Sequence, residues 1–117
     1  MRRFFVLVGL ACLMGPPAFA HAFLEHATPA VGSEVASAPK ELDLSYTEPV
    51  EVLFCHVAVT DAHGASVADG KPVGRNSNQT LVVPLKPLTP GTYRVEWHVV
   101  SVDTHKTEGH FMFTIKP

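Results

Sequence analysis

Polar and apolar residues alternate most cleanly over Glu41-Leu42-Asp43-Leu44-Ser45-Tyr46, where a period of two puts Leu42, Leu44 and Tyr46 on one buried strand face. The longest such stretch is Thr92 to Val102: Tyr93, Val95, Trp97 and Val99 share one parity, and Arg94, Glu96 and His98 share the other. A last strand, about Glu108 to Ile115, groups Phe111, Phe113 and Ile115. Ala22 to Thr28 reads as a short edge strand, followed by a crossing loop through Pro29, Gly32 and Ser33. The run Val52 to Thr60, rich in Val, Phe and Cys, closes at a hairpin-like turn, Asp61-Ala62-His63-Gly64, with a short stretch around Ser66 to Ala68 after it. Asp69 to Gln79 collects Gly70, Pro72, Gly74, Asn76, Ser77 and Asn78 and reads as a loop. Thr80 to Leu85 is a strand whose Pro84 suits an edge, and Thr89-Pro90-Gly91 is the turn before the long strand. No segment holds a helical period for ten residues. The pattern predicts an all-β antiparallel sandwich or barrel of about seven strands.

The first twenty residues follow different rules. A basic start (Arg2, Arg3), an apolar run from Phe4 to Met14, a breaker (Gly15-Pro16-Pro17) and Ala18-Phe19-Ala20 make up the grammar of a cleaved secretory signal. Arg2-Arg3 beside Phe5 leaves general and twin-arginine export both open. Cleavage after Ala20 leaves residues 21–117, 97 residues, the size of one domain with a modest core. No later stretch approaches the roughly 20 apolar residues a spanning helix needs, so the expected product is soluble and periplasmic. Losing Arg2 and Arg3 leaves seven Lys/Arg against eleven Asp/Glu, a formal charge of −4, which disfavours nucleic acid as a partner. Cys12 goes with the leader, so Cys55 has no intramolecular disulfide partner and reads as a small buried hydrophobe, with contact to a soft metal or a second chain as the lesser alternative.

Cleavage would also make His21 the N-terminus. Its free α-amine and ring Nδ1 could then close a six-membered chelate on one metal ion, which an internal histidine cannot do. The plain alternative is that some residue has to come first. A second candidate lies where the long strand runs out, at Asp103-Thr104-His105. In extended chain, residues two apart point the same way about 6.6 Å from each other, so both side chains could reach one ion. Three nitrogens and one carboxylate oxygen suit tetragonal Cu(II), with Zn(II) weaker on the same ligands. His26, His56, His63, His98 and His110 share no short spacing, and each reads as a surface or satisfied side chain; the stretch Glu48 to Glu51 reads as a solvated strand end.

His21-Ala22-Phe23-Leu24, Ala27-Thr28-Pro29-Ala30-Val31-Gly32-Ser33, Tyr46-Thr47-Glu48-Pro49-Val50, the stretch Tyr93 to His105 and Gly109-His110-Phe111-Met112-Phe113 together resemble the CopC family of periplasmic copper-binding proteins. The resemblance spans essentially the whole segment after the leader. It implies an Ig-like or cupredoxin-like β-sandwich holding one Cu(II) through His21, Asp103 and His105. It also implies that Glu48 stands near the copper as a weak ligand or as a partner of one, and that an inner-membrane copper transporter of the CopD type is a partner. One branch of that family also holds Cu(I) in a methionine-rich loop. Here only Met112 follows the leader, and among alternating aromatics it reads as core. The expected function is copper buffering, resistance or delivery without catalysis. The alternatives are a small copper-dependent oxidative enzyme, disfavoured because Asp103 would fill the open coordination place, and a secreted Ig-like interaction module.

Overall fold

The computed structural model describes residues 22–117; the leader and His21 lie outside the described residues. Eight strands are described: β1 (Leu24–Thr28), β2 (Glu34–Val35), β3 (Glu41–Tyr46), β4 (His56–Thr60), β5 (Val73–Arg75), β6 (Thr80–Pro84), β7 (Gly91–Val100) and β8 (Lys106–Ile115), with a short 3-10 turn at Val52–Phe54. They form two four-stranded sheets, ordered β1-β3-β6-β5 and β2-β8-β7-β4. This is the expected all-β sandwich, and every pairing is antiparallel except β2 with β8. After β1 the chain crosses between sheets: the Gly32 N–H donates to the Met112 carbonyl at 2.7 Å, and the Thr114 N–H donates to the Ser33 carbonyl at 2.9 Å. Gly32 makes that crossing at φ +70, a conformation glycine adopts without a Cβ clash.

The core is the set of inward parities. Leu42, Leu44, Tyr46, Leu81 and Val83 from one sheet meet Val59, Val95, Trp97, Val99, Phe111 and Phe113 from the other, all buried. Fully burying one such side chain contributes about 1.5–3 kcal/mol, and a one-residue slip of any strand would turn its whole set to water. Tyr46 and Trp97 meet edge to face across the sheets at 5.4 Å, while Tyr93 stacks on Phe113, also at 5.4 Å. The Tyr93 hydroxyl donates to the Thr89 carbonyl at 2.6 Å and accepts the Thr89 N–H at 3.1 Å, tying the turn to the strand it precedes.

Several local expectations are corrected. The run Val52 to Thr60 is divided: Val52–Phe54 closes its own hydrogen bonds (Phe54 N–H to Glu51 at 2.9 Å, Cys55 N–H to Val52 at 3.2 Å), and Leu53 is 95% exposed. Apolar composition there does not mean pairing, because these local bonds replace the ladder. The loop Asp69 to Gln79 contains β5, which pairs with β6. β6 is therefore an interior strand and not an edge. Pro84 is tolerated because it ends the strand: its carbonyl faces Asp69, and its missing N–H points the same way, beyond the last β5–β6 pair at Val73 and Val82. Met112 is 48% exposed and not core, since the strict alternation of β8 turns it away from Phe111 and Phe113. Cys55 is buried and unpaired as a thiol, as expected, and its S–H lies 3.2 Å from the Glu51 carbonyl.

Candidate metal centre

β7 and β8 form the longest ladder, whose last rung is Val100 with Lys106. The five residues between them are Ser101 to His105, and buried Ser101 organises the turn. Its N–H donates to the His105 carbonyl at 2.9 Å, its carbonyl accepts the Thr104 N–H at 2.9 Å, and its hydroxyl donates to Asp103 Oδ1. Thr104 takes a left-handed conformation (φ 73), which closes the turn and brings its two neighbours face to face. Asp103 Oδ2 lies 3.2 Å from His105 Nδ1, with the side chains 38% and 40% exposed. The extended geometry expected for Asp103 and His105 is thus replaced by a turn, in which the two side chains still meet. The Ser101 hydroxyl holds the Asp103 carboxyl below its ordinary range; partial desolvation opposes this and His105 adds to it. An ionised carboxylate beside an imidazole is the donor chemistry of a divalent-metal ligand pair or of a carboxylate that orients a ligating histidine.

Two other segments arrive at this end of the sandwich. Val50 bridges Ser101, the Pro49 carbonyl accepts the Val102 N–H at 3.2 Å, and the Glu51 N–H donates to Val100 at 2.8 Å, so half-buried Glu48 sits on a segment laced to the turn. The start of the described chain is clamped from both sides. The Thr107 hydroxyl donates to the Ala22 carbonyl at 2.6 Å, while Phe23 and Thr47 exchange bonds at 3.0 and 2.9 Å. Ala22 is fully buried there. His21 itself lies outside the described residues. Among the described residues no three His, Cys, Asp or Glu side chains are gathered for a metal ion, and Asp103 with His105 makes a pair.

The other histidines divide into two kinds. His63 is a turn residue, as expected: Asp61 Oδ1 accepts the N–H groups of His63 and Ala65 at 2.8 and 3.0 Å. These bonds, led by that from Ala65, hold the Asp61 carboxyl below its ordinary range. His56, His98 and His110, read from the sequence as scattered, share one outer sheet face with Glu96 and Glu108. The signal available was the period-two spacing of 96 with 98 and of 108 with 110; the register joining them was not.

A model of the CopC domain matches residues 24–116. Protein YobA of Escherichia coli K12 is 39% identical over 97% of this chain and 94% of its own length. Among solved structures, CopC from Methylosinus trichosporium OB3b superposes with a TM-score of 0.77 at 31% identity, covering 83% of this chain and 95% of that one. PcoC, a methionine-rich copper resistance protein from Escherichia coli, superposes with a TM-score of 0.73 at 32% identity, covering 83% of this chain and all of that one.

Proposed function

Because this chain belongs to the CopC family, we propose that it is a periplasmic Cu(II)-binding protein that buffers copper or hands it to an inner-membrane partner of the CopD type. In this reading the leader is removed after Ala20, and one tight Cu(II) is held by the amine and imidazole of His21 with Asp103 and His105. Glu48 stands beside them as a weak ligand or as a partner to one. The role is binding and transfer, without catalysis.

The observation that carries this reading is the clamp on Ala22: the Thr107 hydroxyl holds its carbonyl at 2.6 Å, two residues along the chain from His105. A terminus delivered to that place supplies the two nitrogens that the Asp103–His105 pair lacks. Three nitrogens and one oxygen then form the tetragonal set Cu(II) prefers. Hand-over is supported by apolar side chains left exposed on the segments framing this end: Phe23, Leu53, Phe54 and Val102. The methionine-rich character of PcoC is not repeated, since Met112 is the only methionine beyond the leader.

The test is a Cu(II) titration against a competing chelator, comparing a terminus at His21 with one extended by a single residue. The extension turns the amine into an amide while leaving every side chain in place. The expected result is one tight equivalent for the first form and a large loss of affinity for the second, with identical circular dichroism. Equal affinity in the two forms would remove His21 as a chelator.

A further inference from the structure

The outer face of the β4–β7–β8 sheet carries a second group of donors. His56 pairs with His98 and His98 with Glu108; in the adjacent row Ala58 pairs with Glu96 and Glu96 with His110. Directly paired residues in antiparallel strands point to the same face, so these imidazoles and carboxylates stand together on the solvent side while Trp97 and Phe111 point into the core. Both ring nitrogens of His98 lie near carboxylates: Nδ1 is 3.1 Å from Glu108 Oε2, and Nε2 is 3.5 Å from Glu96 Oε1. Glu96, His98, Glu108 and His110, with the backbone at Gly109, line a shallow depression of about 230 Å³.

We propose that this depression is a second, weaker site for a divalent transition-metal ion, Cu(II) above all, bound by His98 and His110 with Glu96 and Glu108. Two imidazoles and two carboxylates form a mixed nitrogen and oxygen set of the kind that favours Cu(II) over other divalent first-row ions. With neutral imidazoles the four groups carry two negative charges, which one dication neutralises. Their backbone positions are held by the core residues on the opposite face. Diagonal partners such as His98 and His110 have Cα atoms about 7–8 Å apart, within reach of long side chains. As they stand, no three of these side chains are gathered about one point, so capture requires them to rotate. Side-chain exposures of 50% for Glu96, 51% for His98 and 75% for Glu108 leave room for that rotation. The entropy lost in ordering them, and the absence of a terminal amine chelate, make the site weaker than the one proposed at His21. A solvated lattice of cross-strand ion pairs is the alternative, and it calls for no metal.

The exported protein is titrated with Cu(II) against a weak competing chelator while its imidazole NMR resonances are followed. His98→Gln/His110→Gln, Glu96→Gln/Glu108→Gln and Asp103→Ala/His105→Ala forms are run in parallel. The proposal expects a second, weaker equivalent whose binding broadens the His98 and His110 resonances. Its affinity falls by at least about tenfold in both sheet-face variants and persists in Asp103→Ala/His105→Ala. An unchanged weak equivalent in His98→Gln/His110→Gln, or sharp His98 and His110 signals at saturation, overturns it. If His98→Gln/His110→Gln fails to fold, Glu96→Gln/Glu108→Gln and the broadening in the parent protein decide. Loss of only the tight equivalent in Asp103→Ala/His105→Ala judges the turn site separately from this one.

Discussion

Gly109→Ala tests whether the two faces of the β7–β8 ladder are as tightly constrained as the packing implies. Gly109 pairs with Trp97, and a Cβ added there would lie 2.5 Å from Trp97 Cζ2, 2.7 Å from Cε2 and 3.0 Å from Nε1. The indole cannot simply swing aside, because it is 7% exposed within the core and packs edge to face on fully buried Tyr46. Replacing a strand glycine by alanine ordinarily stabilises by roughly 0.5–1 kcal/mol through lost unfolded-chain entropy. Overpacking a well-filled core costs roughly 1–3 kcal/mol, so the clash should win by about 1 kcal/mol. For a domain of this size that is a fall in Tm of about 4–8 °C. Trp97 is the single tryptophan, so denaturant unfolding followed by its fluorescence reads the affected ring directly. Combining the change with Trp97→Phe, which removes the clashing part of the ring, and following all four forms by circular dichroism because that background has no tryptophan, should show coupling of about 0.5–3 kcal/mol, with Gly109→Ala costing less in that background. A Gly109→Ala protein as stable as the parent, or strictly additive effects with Trp97→Phe, would refute the packing argument.

Asp103→Ala and His105→Ala should each weaken Cu(II) binding while leaving thermal unfolding nearly unchanged, with the imidazole loss the larger; unaltered affinity in His105→Ala would show that the wrong turn residue was chosen. Reduction to Cu(I) should weaken binding sharply, because nitrogen and carboxylate donors suit the harder ion and the turn offers no thioether; tight Cu(I) binding abolished by Met112→Leu would contradict this. Asp61→Asn should selectively alter acid stability. The carboxyl of Asp61 is depressed below its ordinary value of 3.8 by the N–H groups of Ala65 and His63, so its contribution is complete above that value and lost as pH falls through the lower folded one. Urea midpoints measured from neutral pH downward should therefore fall less steeply below about pH 4 in the variant; parallel curves would argue against the turn bonds.

The strand faces were legible in the sequence wherever one side of a strand is core and the other is water. Leu42, Leu44 and Tyr46, the odd positions from Tyr93 to Val99, and Phe111, Phe113 and Ile115 are all buried, because period two is a local property that burial then enforces. Asp103 and His105 were legible as two side chains able to approach each other, but the geometry that brings them together was not, because it depends on Thr104 at φ 73 and on the buried Ser101 hydroxyl. Local composition also misled: an apolar run became a 3-10 turn at Val52–Phe54, and a proline taken as an edge mark ends an interior strand. What only the tertiary structure decided is register. No local rule links His56 to His98 or Glu96 to His110, residues far apart in the chain that become neighbours once the hydrophobic faces of β4, β7 and β8 lock together. The sequence by itself determined which residues face water; the packing of the opposite face determined which of them stand side by side, because strand alignment is set by the core and the polar face inherits it.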